Sequence, residues 1–149
     1  MPVALAVALT LALTTAGGGR QALRAEGVPP LPVEIESPTG EIKGRALVYP
    51  NYIELSDAAS APRGAIGVLM AEGTARLFLV KANSERSLIG WAQENRLYDT
   101  QNKLVGYYYW TPTWSYVYDI KMIKIGQARC IAYQGVCAAG VAGFLLGLL

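Results

Sequence analysis

The sequence has no histidine. Without an imidazole there is no Ser-His or Cys-His nucleophile pair, no imidazole metal ligand and no side chain tuned for proton transfer near neutral pH. Cysteine is scarce as well, with two in 149 residues. Two thiols do not make a disulfide scaffold, and two thiols plus carboxylates are a poor zinc ligand set. Cys130 and Cys137 lie seven residues apart in a stretch that reads as helix, which would separate their Cα atoms by ~10 Å at 1.5 Å per residue. A bridge needs less than about 7 Å, so two unbridged thiols are expected. In the apolar run around Cys137 a thiolate is disfavoured. Cys130, beside Arg129, reads as a small apolar residue.

Charge is the third shortage, at 16% of residues. The 13 Lys and Arg and the 11 Asp and Glu all lie between Arg20 and Arg129, so residues 1–19 and 130–149 carry no charged side chain. The formal charge of +2 is small and its cations are scattered, which points away from a nucleic-acid partner. Motifs with a chemical mechanism are missing: no P-loop, no GxGxxG between a strand and a helix, no CxxC. Glu34 and Glu36 share a strand face by alternation, but a solvated face explains them and spacing alone does not make a glycosidase pair. The sequence predicts no enzyme, no cofactor, no metal and no catalytic residue.

What is present is apolar: 52% hydrophobic residues, more than an ordinary soluble domain carries. Residues 130–149 form an uncharged run of 20, which as a helix would span ~30 Å, the thickness of a bilayer core. Gly135, Ala139, Gly143 and Gly147 recur every four residues and form one small-residue ridge, of the kind that lets membrane helices approach each other. A buried helix in an oligomer is the alternative. At the other end Ala4, Ala8, Ala12 and Ala16 also repeat every four residues, while Val3, Leu5, Val7, Leu9, Leu11 and Leu13 alternate as a strand would. A secretory signal is the rival reading of this end, with Thr14-Thr15-Ala16 as small residues for cleavage and no basic residue before the apolar core. Arg20 and Arg24 after the first segment, with Lys121, Lys124 and Arg129 before the second, would place the middle on the cytoplasmic side of a membrane.

Between the ends the chain reads as β-rich. Residues 1–19 are one apolar segment, 20–32 a linker containing Pro29, Pro30 and Pro32, 33–126 a β domain and 127–149 the apolar helix. Strands are predicted over 33–36, 41–49, 52–56, 66–71, 74–82, 87–93, 97–98, 103–110 and 114–125, with turns at 37–40, 72–73 and 99–102 and a loop at 57–63. Short strands with turn signals about every ten residues indicate a mainly β fold, a small antiparallel meander closing into a barrel or sandwich. No internal repeat is evident. An aromatic hairpin stands out: a three-residue loop at 111–113 would pair Trp110 with Trp114, Tyr108 with Tyr116 and Gly106 with Tyr118 on one face. It reads as a packed hairpin, a sugar-stacking or peptide-binding platform, or a membrane-interface belt.

The expectation for function is a non-catalytic structural subunit of a membrane-associated assembly, oligomeric, held to other protein subunits and to lipid by its apolar termini. A virion structural protein whose apolar arms pack into neighbouring subunits is the alternative, and an exported β-domain binding module is the second.

Overall fold

The computed structural model describes residues 29–149. The Ala4, Ala8 and Ala12 ridge and the reading of residues 1–19 lie outside the described residues. The rest is mainly β, with ten strands: β1 (Leu31–Glu36), β2 (Ile42–Val48), β3 (Tyr52–Asp57), β4 (Pro62–Ala71), β5 (Thr74–Val80), β6 (Arg86–Gln93), β7 (Arg96–Asp99), β8 (Leu104–Trp110), β9 (Ser115–Tyr118) and β10 (Lys124–Ala128). One helix, α1 (Gln134–Leu145), follows. Every strand pairs antiparallel with its sequence neighbour, and β1 closes on β10 through Ile35 with Ala128 and Glu36 with Gln127. The expected meander therefore closes as a barrel.

The barrel consists of five hairpins of one design, which corrects the reading that no repeat exists. Each hairpin turn begins at Ser37, Asp57, Lys81, Asp99 or Asp119, and the N–H of that residue donates to the carbonyl four residues on at 2.7–2.9 Å. The fourth turn residue is left-handed each time: Gly40, Ser60, Ser84, Asn102 and Met122. This is a type I turn followed by a left-handed residue, a standard hairpin closure. The Asp57, Asp99 and Asp119 carboxylates each accept two backbone N–H groups of their own turn, and Ser37 Oγ does the same. The last turn splits the stretch predicted as one strand over 114–125 into β9 and β10.

Beyond each turn a glycine faces a buried apolar residue: Ile35 with Gly44, Leu55 with Gly64, Leu77 with Gly90, Leu97 with Gly106 and Val117 with Gly126. One residue bulges out of register between each such pair and its turn, and bulges supply the bend that a closed sheet requires. The repeat hides in the sequence because its fixed positions are one glycine and one turn, while the apolar identities drift. The third hairpin also carries extra pairs, Leu79 with Ser87 and Val80 with Arg86, which breaks the period.

The helix α1 fills the inside. Residues 136–146 are apolar on every side, and a helix of that kind is a buried one. Val136, Cys137, Ala138, Ala139, Val141 and Ala142 are at most 4% exposed. An eight-stranded barrel is filled by its own side chains; ten strands leave room for a thin helix, and Ala and Gly keep it thin. A Cβ at Gly140 would run into the Ile53 side chain, and one at Gly143 would lie 3.1–3.2 Å from Leu77 and Ile66.

The chain ends in the glycine ring. A Cβ on Gly44 would lie 2.8 Å from the Phe144 ring, on Gly126 2.6 Å from Leu145, on Gly106 2.7 Å from Leu146, on Gly90 2.7 Å from Leu148 and on Gly64 3.2 Å from Leu149. Each hairpin thus receives one side chain, and residues 144–149 run once round the barrel in hairpin order one, five, four, three, two. Gly147, at φ 81°, makes this possible. Its N–H donates to the Phe144 carbonyl and that of Leu148 to the Gly143 carbonyl, the Schellman ending in which a left-handed glycine turns the chain.

Two expectations for the tail are overturned here. The helix has 12 residues rather than 20, and among the described residues no helix is long and apolar enough to cross a membrane. Cys130 and Cys137 are bridged, with Cα atoms 5.8 Å apart. The earlier distance assumed a helix beginning at Cys130, whereas Tyr133 is left-handed and the helix starts after it. Gly135, Ala139 and Gly143 lie against the barrel's own strands, with Gly135 beside Met70. The surface expected to receive another subunit's helix is occupied by this chain.

Gly143→Leu should destabilise the whole barrel by roughly 1–3 kcal/mol or more, the usual cost of overpacking a filled core, read as a lower midpoint in urea. Paired Cys130→Ser and Cys137→Ser changes should cost about 2 kcal/mol, the loop-closure value for so short a ring, read in the same titration.

Candidate functional site

The main core lies inside the barrel. A smaller cluster of Tyr49, Tyr52, Ala65 and Val80 covers part of the outer face of β3 to β5, whereas the outer face of β6 to β9 stays half-exposed. Alternation places Trp91, Tyr98, Tyr107, Tyr109, Tyr116 and Tyr118 outward, because their neighbours Ala92, Leu97, Tyr108 and Val117 are buried inside. Trp114, at the start of the same row, stacks on Tyr116 with ring centroids 6.4 Å apart. Trp91 pairs across strands with Tyr98, Tyr107 with Tyr118 and Tyr109 with Tyr116. The result is a wall of seven rings over β6 to β9 in two groups, Trp91 with Tyr98 and the five rings of β8 and β9. The groups meet at a seam where Tyr107 lies opposite Arg96 and Tyr98 opposite Leu104.

The rings brace one another. Trp91 and Tyr98 stack at 4.4 Å, and Tyr109 meets Tyr118 edge-on at 5.7 Å, arrangements each worth ~0.5–1.5 kcal/mol beyond burial. Trp91 Nε1 donates to Asn102 Oδ1 at 2.9 Å, and Lys124 Nζ sits 4.7 Å over the Tyr116 ring. The outward face of β1 to β3 differs: it bears Glu34, Arg45, Glu54 and Ser56, with Arg45 3.9 Å from Glu34. With Arg76 on β5, these mid-strand charges are unlike the apolar band of a membrane-spanning barrel.

The aromatic residues singled out in the sequence are divided by the barrel wall. The observed pairs are Trp110 with Ser115, Tyr109 with Tyr116, Tyr108 with Val117 and Tyr107 with Tyr118. The connection has four residues, closed by Thr111, whose N–H donates to the Trp114 carbonyl, so the register slips by one from the predicted pairing. A one-residue slip sends every side chain of one strand to the other face. Trp114, Tyr116 and Tyr118 remain outside, whereas Tyr108 points inward and stacks on Trp110 at 5.8 Å. Trp91, Tyr98, Tyr107 and Tyr109 were not read as site residues; their signal is aromatic identity at alternate positions of three further strands.

Tyr108 and Trp110 line a cleft of about 320 Å³ with Met70, Thr74, Ala92 and Asn95, at the barrel end opposite the hairpin turns. A second hollow of about 610 Å³ runs over β1 to β4 past Glu34, Arg45, Leu47, Glu54 and Ser56. Burial pushes the Tyr108 phenol up to about 12. Among the described residues no three His, Cys, Asp or Glu side chains gather as a metal site. Ser115 Oγ, inside the wall, is buried without a hydrogen-bond partner among the described residues. No protein-family model, no curated protein and no solved structure matches this chain.

The Tyr108 shift has a consequence for stability. Below pH 10 the phenol is neutral in both states, and between pH 10 and 12 only the unfolded chain loses the proton, so stability should fall as pH rises through that window. The loss should be on the order of 2 kcal/mol and should be smaller in Tyr108→Phe when unfolding is followed at both ends of the window.

Proposed function

We propose that this protein is a non-catalytic interaction subunit of a multi-protein assembly in an oxidising compartment, docking to another protein through the aromatic wall. The observation that carries the reading is the wall itself. Five hairpins of one design share turns, bulges and glycines, yet seven outward rings gather on β6 to β9, whereas β1 to β5 place only Tyr52 and Phe78 outward. The main core lies on the other side of the sheet, so these rings contribute to the fold through their mutual stacking. Tyr and Trp are the residues enriched in protein interfaces, where they supply large contact area for little lost freedom. Rings already stacked in the free protein lose less on docking.

The compartment follows from Cys130 and Cys137, whose bridge is of a kind rare where thiols are kept reduced. This favours an exported module over a domain on the cytoplasmic side. It also moves the assembly contact from the apolar tail, which is spent inside the barrel, to the outer face.

The test replaces Tyr109, Tyr116 and Tyr118 together by Ser and compares native electrophoresis of gently solubilised producing cells. The unaltered chain should migrate in a complex well above its 16.0 kDa mass and the variant, with its circular dichroism unchanged, as the monomer. Identical migration of the two, or a monomer in both, would contradict the reading.

A further inference from the structure

The fifth hairpin turn departs from the chemistry of the other four. Those run Ser37-Pro38-Thr39-Gly40, Asp57-Ala58-Ala59-Ser60, Lys81-Ala82-Asn83-Ser84 and Asp99-Thr100-Gln101-Asn102, small or polar after the first residue. The fifth runs Asp119-Ile120-Lys121-Met122 and continues into Ile123 and Lys124. Ile120, Met122 and Ile123 are 55%, 49% and 58% exposed and belong to no core cluster. Met122 holds the left-handed position at φ 63°, where Gly or Asn is the natural occupant and a long apolar side chain is strained. Turn closure does not need these residues, because Asp119 Oδ1 accepts the N–H groups of Lys121 and Ile123 just as Asp99 does in its own turn.

We propose that this turn is a wedge that enters an anionic lipid surface. Ile120, Met122 and Ile123 reach the acyl boundary, and Lys121 and Lys124 meet the headgroup phosphates. Charge complementarity selects this occupant: the tip offers two amines, and its one carboxylate is engaged by the backbone. Apolar and basic residues are interspersed along the tip, Ile120-Lys121-Met122-Ile123-Lys124, the combination that binds an anionic lipid interface. Tyr118, immediately before the turn and paired with Tyr107, is the residue type found at headgroup level. The inference shares Tyr118 and Lys124, whose Nζ lies 4.7 Å over the Tyr116 ring, with the edge of the docking wall, but its apolar wedge of Ile120, Met122 and Ile123 lies outside that wall.

The full chain is sedimented with vesicles of phosphatidylcholine containing an equal share of phosphatidylglycerol, and with phosphatidylcholine vesicles alone. Binding should be at least roughly tenfold stronger to the mixed vesicles, each lysine near an anionic surface contributing several-fold. Joint Lys121→Gln and Lys124→Gln changes should lower it by roughly tenfold or more. Met122→Gly should weaken vesicle binding while leaving the thermal midpoint equal or higher, because glycine relieves the left-handed position. That variant separates a lipid contact from a folding defect. Failure of the unaltered chain to sediment with the mixed vesicles, or sedimentation unchanged in the three substitutions, would overturn the proposal.

Discussion

The rest of the structure depends on one fit: an apolar helix with no polar face lying inside a barrel of matching bore. Both sides of that fit are set by small residues. Gly140 and Gly143 bring the helix within contact of Ile53, Leu77 and Ile66, and the five wall glycines open sockets for Phe144, Leu145, Leu146, Leu148 and Leu149. Neither partner is a sensible structure in isolation. The emptied barrel would expose an apolar lumen, and the free helix would carry several glycines that each cost ~1 kcal/mol relative to alanine. The Cys130–Cys137 bridge holds the start of the helix beside the end of β10, while the Tyr133 hydroxyl donates to the Pro29 carbonyl and Gln134 Nε2 to that of Pro112.

A five-part frame built on that fit makes departures from the frame informative. Turn closure, bulge and glycine serve the fold and recur in every hairpin. The cluster of seven rings on the outward face of β6 to β9 and the apolar residues in the fifth turn each belong to one part of the frame, and neither contributes to the plug. The filled interior leaves the outside of the barrel as the surface that the proposed contacts use.

The β-rich middle was legible because alternation and turn residues are local signals. Thus the turns at 37–40, 72–73 and 99–102 fall where the sequence places them. Besides the hairpin repeat, three features were not legible, each because a nonlocal partner decides it. Residues 130–149 read as a membrane helix since lipid and a barrel lumen are equally apolar solvents, and the sequence does not say which one is met. The disulfide was excluded by assuming helix through Cys130, when the left-handed Tyr133 shortens the separation. The aromatic hairpin was read one residue out of register because a three-residue and a four-residue loop fit Thr111-Pro112-Thr113-Trp114 equally well. That slip hid the wall: with Tyr108 assigned to the wrong face, Tyr107 and Tyr109 did not line up with Tyr116 and Tyr118.

Native-state amide hydrogen exchange tests the plugged barrel most directly. If the helix and the wall form one cooperative unit, the amides of residues 138–143 exchange only through global unfolding, with the same opening free energy as Leu77 and Val117 on the wall. Helix amides that exchange well ahead of those strands, with the strands still protected, would show a barrel that stands without its plug and would contradict the account.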